Sequence, residues 1–123
     1  MSKVLIEHSI FILYGLPRLK FEAVLAHELL HVWLNERDIK MPSKDIEGFC
    51  NLGAALIYQK DGTANGNSFL KNMSEDPDPI YGDGYRKMSS KLKNIGWKGL
   101  INEVLNSNNS IINKFSLFKE KLF

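Results

Sequence analysis

The sequence predicts an α+β fold that is mostly helical, with one strand at the N-terminus and a helix at the domain centre. Residues 4–14 are rich in β-branched and aromatic side chains, which favour a strand. Residues 21–37 carry apolar side chains on most sides, which is typical of a buried helix. With 123 residues, the chain is long enough for one compact domain and too short for two ordinary ones.

Composition limits the classes of partner. The chain has 16 basic and 14 acidic residues, a formal net charge of +2, so we expect neither nucleic acid nor a membrane as a partner. The single cysteine, Cys50, excludes an internal disulfide and a zinc module of paired cysteines. The apolar span near the N-terminus is too short to cross a bilayer. We therefore expect a soluble, cytoplasmic protein.

The first elements are bounded by turn and cap residues. The strand is expected to end at the turn residues 15–17, Gly-Leu-Pro. After the first helix, a second helix is predicted from about Lys44 to Lys60. Ser43 is its expected N-cap, and Gly62 is expected just after its end.

The middle of the chain is more broken. We expect a loop at 62–66 and a short helix at 68–73. Two prolines flank an aspartate within residues 75–79, which predicts a break in regular structure. The glycines of residues 80–86 predict a tight loop close to another backbone.

The last third of the chain predicts helices again. Two are expected at about 85–94 and 98–105, separated at Gly96. After a polar hinge at 106–110, the apolar residues predict an amphipathic C-terminal helix or tail, which either docks on the domain or contacts a partner. The predicted division is therefore a domain at 1–105 and a C-terminal segment at 106–123.

The clearest chemical motif is the run HELLH at residues 27–31. On a helix, positions four apart share one face about 6 Å apart along the axis, so His27 and His31 can bind one ion. Glu28 lies at the edge of that face, where it can act on a water molecule as general base. The alternative is that both histidines are ordinary core residues, but polar groups on a buried helix need partners. The pattern therefore predicts zinc-dependent hydrolysis.

A catalytic zinc usually has three protein ligands, so a third is expected on another element. Glu47 is the best placed of the downstream carboxylates, which are Glu36, Asp38, Asp45 and Glu47. It is flanked by apolar residues and lies beside Gly48, which permits close approach between helices. Asn51 lies one turn later on the same face, where its amide can hydrogen-bond the far nitrogen of a ligand imidazole.

Other residues are candidates for lesser roles. Tyr81 and Tyr85 are candidate catalytic residues that stabilise the oxyanion, and Arg86 is a candidate for substrate binding. The alternative is that both tyrosines pack against the helices. Cys50 is expected to pack rather than to act as a nucleophile, and His8 is expected not to be a ligand.

Four motifs occur in an order that resembles a known family: YGLPR at 14–18, AHELLHVW at 26–33, EGFC at 47–50 and YGDGYR at 81–86. The order is similar to that in the peptidase domain of the DA-one-like metallopeptidases, known from plant ubiquitin-activated LIM-domain proteins. The resemblance covers about residues 4–105. It implies a zincin-like domain of the gluzincin type, with zinc held by His27, His31 and Glu47 and with Glu28 as base.

The expected function is therefore that of a zinc metallopeptidase acting on a peptide or protein substrate. The alternative is a catalytically weak or inactive, zinc-stabilised binding module. In that case the helices and the C-terminal segment would contact a partner protein or a second copy of the chain.

Overall fold

A computed structural model of the protein describes residues 8–10 and 17–107. These ranges contain four helices and no strand: α1 (Arg18–Glu36), α2 (Ser43–Asp61), α3 (Ala64–Glu75) and α4 (Tyr81–Leu105). The mostly helical fold is confirmed. The strand predicted at 4–14 lies outside the described residues except for 8–10, which have no regular secondary structure. The predicted C-terminal helix also lies outside the described ranges, from residue 108 onward.

The centre of the described fold is α2, not α1 as predicted. Helix α2 contacts each of the other three helices. Its buried side chains include Phe49, Cys50 and Leu52, which form the main core with residues of α1 and α4. Helix α1 packs along one side of α2 and leaves Leu29 half exposed. The apolar residues on most sides of α1 thus did not show that α2 is the central helix.

Of the two caps predicted for α2, the structure confirms the C-terminal one. Gly62 follows the helix in the left-handed conformation, with φ of 68°, as expected for a C-terminal glycine. Ser43 is the first helical residue rather than the N-cap. Pro42 occupies the N-cap position, and no side chain caps this end. Proline suits this position because it has no N–H to leave unsatisfied.

Helix α4 begins where the sequence predicted a loop. Asp78 accepts hydrogen bonds from the backbone N–H groups of Ile80 and Tyr81, at 2.9 and 2.8 Å, and so starts the helix. The glycines within the first turn serve a close contact between helices. A Cβ atom on Gly84 would lie 2.3 Å from the carbonyl oxygen of Lys44, and one on Gly48 would lie 2.1 Å from that of Gly84. The predicted approach to another backbone is therefore correct, but its setting is a helix.

The remaining connections agree in part with the sequence. Helix α3 begins at Ala64, inside the predicted loop, because Thr63 caps it by accepting a hydrogen bond from the Gly66 N–H. It ends at Glu75, where the proline-flanked break was expected. Helix α4 is interrupted at Gly96, with φ of 70°, at the predicted separation. None of the described helices is both long enough and apolar enough to cross a lipid bilayer.

Candidate metal centre

The two histidines of the HELLH run and Glu47 meet at the interface of α1 and α2. The Nε2 atoms of His27 and His31 lie 3.2 Å apart. The Glu47 carboxylate lies between them, with Oε2 at 3.1 Å from His27 Nε2 and Oε1 at 3.1 Å from His31 Nε2. Three potential ligand atoms from two helices therefore converge on one point, as the sequence predicted for these residues.

The spacing of these atoms fits a tetrahedral metal ion. Two donor atoms that each lie about 2.0–2.1 Å from a tetrahedral zinc are about 3.3 Å apart. The distances among His27 Nε2, His31 Nε2 and Glu47 Oε2 are 3.1 to 3.3 Å, close to that value. No other group of three His, Cys, Asp or Glu residues in the described ranges has ligand atoms gathered in this way. The site therefore has the donor set and the size for zinc.

Asn51 determines which nitrogen of His27 faces this point. The Nδ1 atom of His27 lies 2.8 Å from the Asn51 side-chain oxygen, which can only accept a hydrogen bond. The Asn51 amide nitrogen donates a long 3.5 Å bond to the Tyr81 carbonyl, which orients the amide. Because Nδ1–H is the donor, Nε2 of the neutral ring carries its lone pair toward Glu47.

This arrangement leaves acceptors facing one another. A lone pair on His27 Nε2 and the Glu47 carboxylate repel each other unless a proton or a cation lies between them. If both imidazoles were protonated, two positive rings would lie with nitrogen atoms 3.2 Å apart. A divalent cation satisfies the three groups together, since neutral imidazole and carboxylate are ligands that zinc accepts.

The site is partly open to solvent. The side chains of His27, His31 and Glu47 are 15%, 26% and 18% exposed. They are buried enough to be held in place by packing, yet a water molecule or a substrate group can reach them. This is the requirement for a catalytic metal site, in which one coordination position is not taken by the protein.

A cleft of about 340 Å³ opens beside the site. Its lining includes His27, Glu28, Asn51 and Tyr81, so the histidine motif forms one end of it. Glu28 therefore lies on the same side of α1 as the cleft, next to His27.

The other predicted residues are placed differently. Tyr81 lines the cleft and is about half exposed. Tyr85 is 6% exposed and packs in the main core, so it does not face the cleft. The Arg86 guanidinium donates to the carbonyls of Ser74 and Asp76, at 3.0 and 2.7 Å, and pairs with Asp83. Arg86 thus ties the end of α3 to the first turn of α4.

Cys50 is a core residue, as expected. It is fully buried on α2. Burial raises the pKa of the Cys50 thiol far above its usual range, and the negative charges of Glu47 and Glu28 raise the pKa further. A thiol held in its protonated form is a poor nucleophile.

Sequence reasoning missed several residues that line the cleft. Lys20 belongs to α1, two turns before His27, and Met73 and Asp76 belong to the end of α3 and the segment after it. Lys20 was detectable, because seven residues separate it from His27 on one helical face. Nothing in the sequence indicates that the end of α3 approaches this face.

Comparison with known proteins identifies relatives. A family model described as DA1-like, Protein DA1, matches residues 3–62, which include the three candidate ligands and Glu28. Protein DA1 of Arabidopsis thaliana is 31% identical over 107 residues, covering 63% of this chain and 20% of that protein. Protein DA1-related 2 of the same plant is 24% identical over 131 residues, covering 78% and 25%.

A relative from rice extends the comparison. LIM domain-containing protein HDR3 of Oryza sativa subsp. japonica is 25% identical over 133 residues, covering 78% of this chain and 26% of that protein. The chain spans about a fifth to a quarter of the length of these relatives. No solved structure matches it. On the family match and the identity to Protein DA1, the chain belongs to the DA1-like family.

Proposed function

We propose that the chain is a zinc-dependent peptidase, with His27, His31 and Glu47 as metal ligands and Glu28 as general base. The observation that carries this proposal is the convergence of three ligand atoms, His27 Nε2, His31 Nε2 and Glu47 Oε2, which lie 3.1 to 3.3 Å apart, beside a cleft that His27 and Glu28 line. Membership of the DA1-like family agrees with the proposal but does not by itself specify a reaction.

The chemistry divides between the metal and the side chains. When bound, zinc would act as a Lewis acid that polarises a carbonyl group and lowers the pKa of water. Glu28 accepts the proton of the attacking water and passes it to the nitrogen of the leaving amine. Asn51 holds His27 in the tautomer that presents Nε2 to the ion.

A donor is also needed for the negative charge that develops on the substrate oxygen. Tyr81 is the tyrosine of the proposed machinery, because it lines the cleft while Tyr85 is buried. The backbone carbonyl of Tyr81 accepts the Asn51 amide, so the start of α4 is tied to the ligand His27. Arg86 has no part in the proposal because its guanidinium is engaged in the joint between α3 and α4.

The test compares Glu28→Gln with a matched change on the same helix. Glu28→Gln is expected to bind zinc as wild type does and to lose at least about 100-fold in peptide hydrolysis, the usual contribution of a general base. Glu22→Gln is the control, since Glu22 pairs with Arg18 on the surface and does not line the cleft. It should keep full activity.

Two results would contradict the proposal. One is undiminished cleavage by zinc-loaded Glu28→Gln. The other is the absence of cleavage by zinc-loaded wild type across a broad peptide library, which would favour the zinc-stabilised binding module instead.

A further inference from the structure

The cleft beside the metal centre changes character along its length. Its lining on α1 is Lys20, Ala23, Val24, His27 and Glu28, which recur at helical spacing on one face. The seven residues from Lys20 to His27 span about 10 Å of helix. A substrate group bound at the metal end therefore has two to three residue lengths of groove beside it, at about 3.3–3.6 Å per extended residue.

The floor of the cleft is apolar and firmly packed. Ala23, Ala54 and Tyr58 are 1%, 7% and 2% exposed and form a small core of their own, separate from the main one. Met73 of α3 packs against both this cluster and the main core. Alanine at both facing positions of α1 and α2 leaves space where larger side chains would fill the groove. The groove therefore lies over a packed part of the fold.

Lys20 lines the cleft two helical turns from His27. Its ammonium lies 5.2 Å from the ring centroid of Phe69 and 5.8 Å from that of Tyr58, so the lysine lies over aromatic surface. The hydrocarbon stem of such a lysine extends apolar surface. Along α1, Lys20 and the pair His27 and Glu28 are two helical turns apart, and Ala23, Val24, Ala54 and Met73 supply apolar surface to the same cleft.

The size and lining indicate the occupant. Ligand pockets usually measure about 300–1,000 Å³, so a cleft of about 340 Å³ takes a short stretch of peptide and not a folded domain. A charged side chain placed against Ala23, Val24, Ala54 and Met73 would lose its hydration without gaining a partner from them. A large apolar side chain would instead gain about 25 cal/mol for each Å² removed from water.

We propose that this cleft is the specificity pocket of the site and takes a large apolar side chain, such as leucine, methionine or phenylalanine. That side chain belongs to one of the two residues that flank the scissile bond. The inference rests on the proposed peptidase function, because the metal end of the cleft defines where that bond lies. Ala54 of α2 and Met73 of α3 both line this pocket, so their size sets the space for that side chain.

The test uses two variants that change the pocket in opposite directions. Peptides that differ only at the residues flanking the scissile bond are assayed for kcat/KM. Wild type should prefer a large apolar side chain over alanine by about tenfold or more. Ala54→Leu should abolish or invert this preference, and Met73→Ala should shift it toward bulkier side chains. Gln59→Leu, an exposed change on the same helix outside the cleft, should leave it unchanged.

A merely structural effect would lower kcat/KM for all peptides alike. Equal losses for every peptide in both pocket variants, or a wild type without preference, would overturn the inference.

Binding separates this inference from the proposed function. Labelled peptides are titrated into zinc-loaded Glu28→Gln protein, with anisotropy as the readout. Selective binding of apolar peptides that Ala54→Leu removes would support the pocket even if wild type cleaved nothing, in which case the peptidase proposal alone fails. Cleavage by wild type with equal binding of all peptides would overturn the pocket alone. Neither cleavage nor selective binding would overturn both.

Discussion

Replacing Asn51 by leucine tests whether the hydrogen bond behind His27 prepares the site for a metal. The side chains have the same branched shape, but leucine removes the acceptor that lies 2.8 Å from His27 Nδ1. The ring then loses its preference for the tautomer with Nε2 free, and a partly buried N–H is left without a partner. Loss of such a partner typically weakens metal binding 10- to 100-fold, or about 1.4 to 2.7 kcal/mol.

The assay is a competition titration of zinc against a chelator of known affinity at neutral pH. Asn51→Asp is the matched control, because a carboxylate oxygen at the same position still accepts from Nδ1–H. It should bind zinc at least as tightly as wild type. Thermal unfolding of the metal-free variants separates a loss of affinity from a loss of fold. Wild-type affinity in Asn51→Leu, or an equal loss in Asn51→Asp, would refute the role assigned to Asn51.

Three further predictions concern the scaffold around the site. Gly48→Ala should lower the free energy of unfolding by about 1–3 kcal/mol in urea denaturation, because its Cβ would meet the Gly84 carbonyl at 2.1 Å. An unchanged free energy of unfolding would contradict the close contact between α2 and α4. Arg86→Ala should lower the free energy of unfolding by about 1.5–3 kcal/mol, because the hydrogen bonds of Arg86 join α3 to α4, and should leave zinc affinity unchanged. Loss of zinc binding with an unchanged free energy of unfolding would contradict this. Cys50 should resist alkylation in the folded protein. Because only the unfolded state releases the thiol proton, the free energy of unfolding of wild type should fall relative to that of Cys50→Ala as pH rises above about 8.5. A difference between the two proteins that does not change with pH would contradict the raised pKa.

The grouping of His27, His31 and Glu47 was predictable because its signal is local. The spacing of His27 and His31 depends only on helical geometry. Both lie on α1, a helix that the apolar pattern indicates independently. Glu47 was identified because a carboxylate among apolar neighbours needs a partner. Asn51 followed from the same face of α2. All four predictions required that α1 and α2 be adjacent, which a short connection favours.

The first turn of α4 was not predictable in the same way. Glycines at 82 and 84 are equally typical of a loop and of a helix that packs tightly on another backbone. The choice depends on Asp78, which starts the helix, and on Gly48, which accepts the close contact from α2. The burial of Tyr85 follows from that helix, since it turns this side chain into the core while Tyr81 stays at the cleft.

The central claim is that His27, His31 and Glu47 hold one metal ion, and elemental analysis of the purified protein tests it most directly. Wild type is expected to contain one zinc per chain and His31→Ala to contain essentially none. His8→Ala is the matched control: His8 lies 3.7 Å from Glu36, outside the site, so this variant should keep its zinc. Wild-type protein that takes up no zinc even when it is supplied, or His31→Ala that retains zinc, would contradict the account.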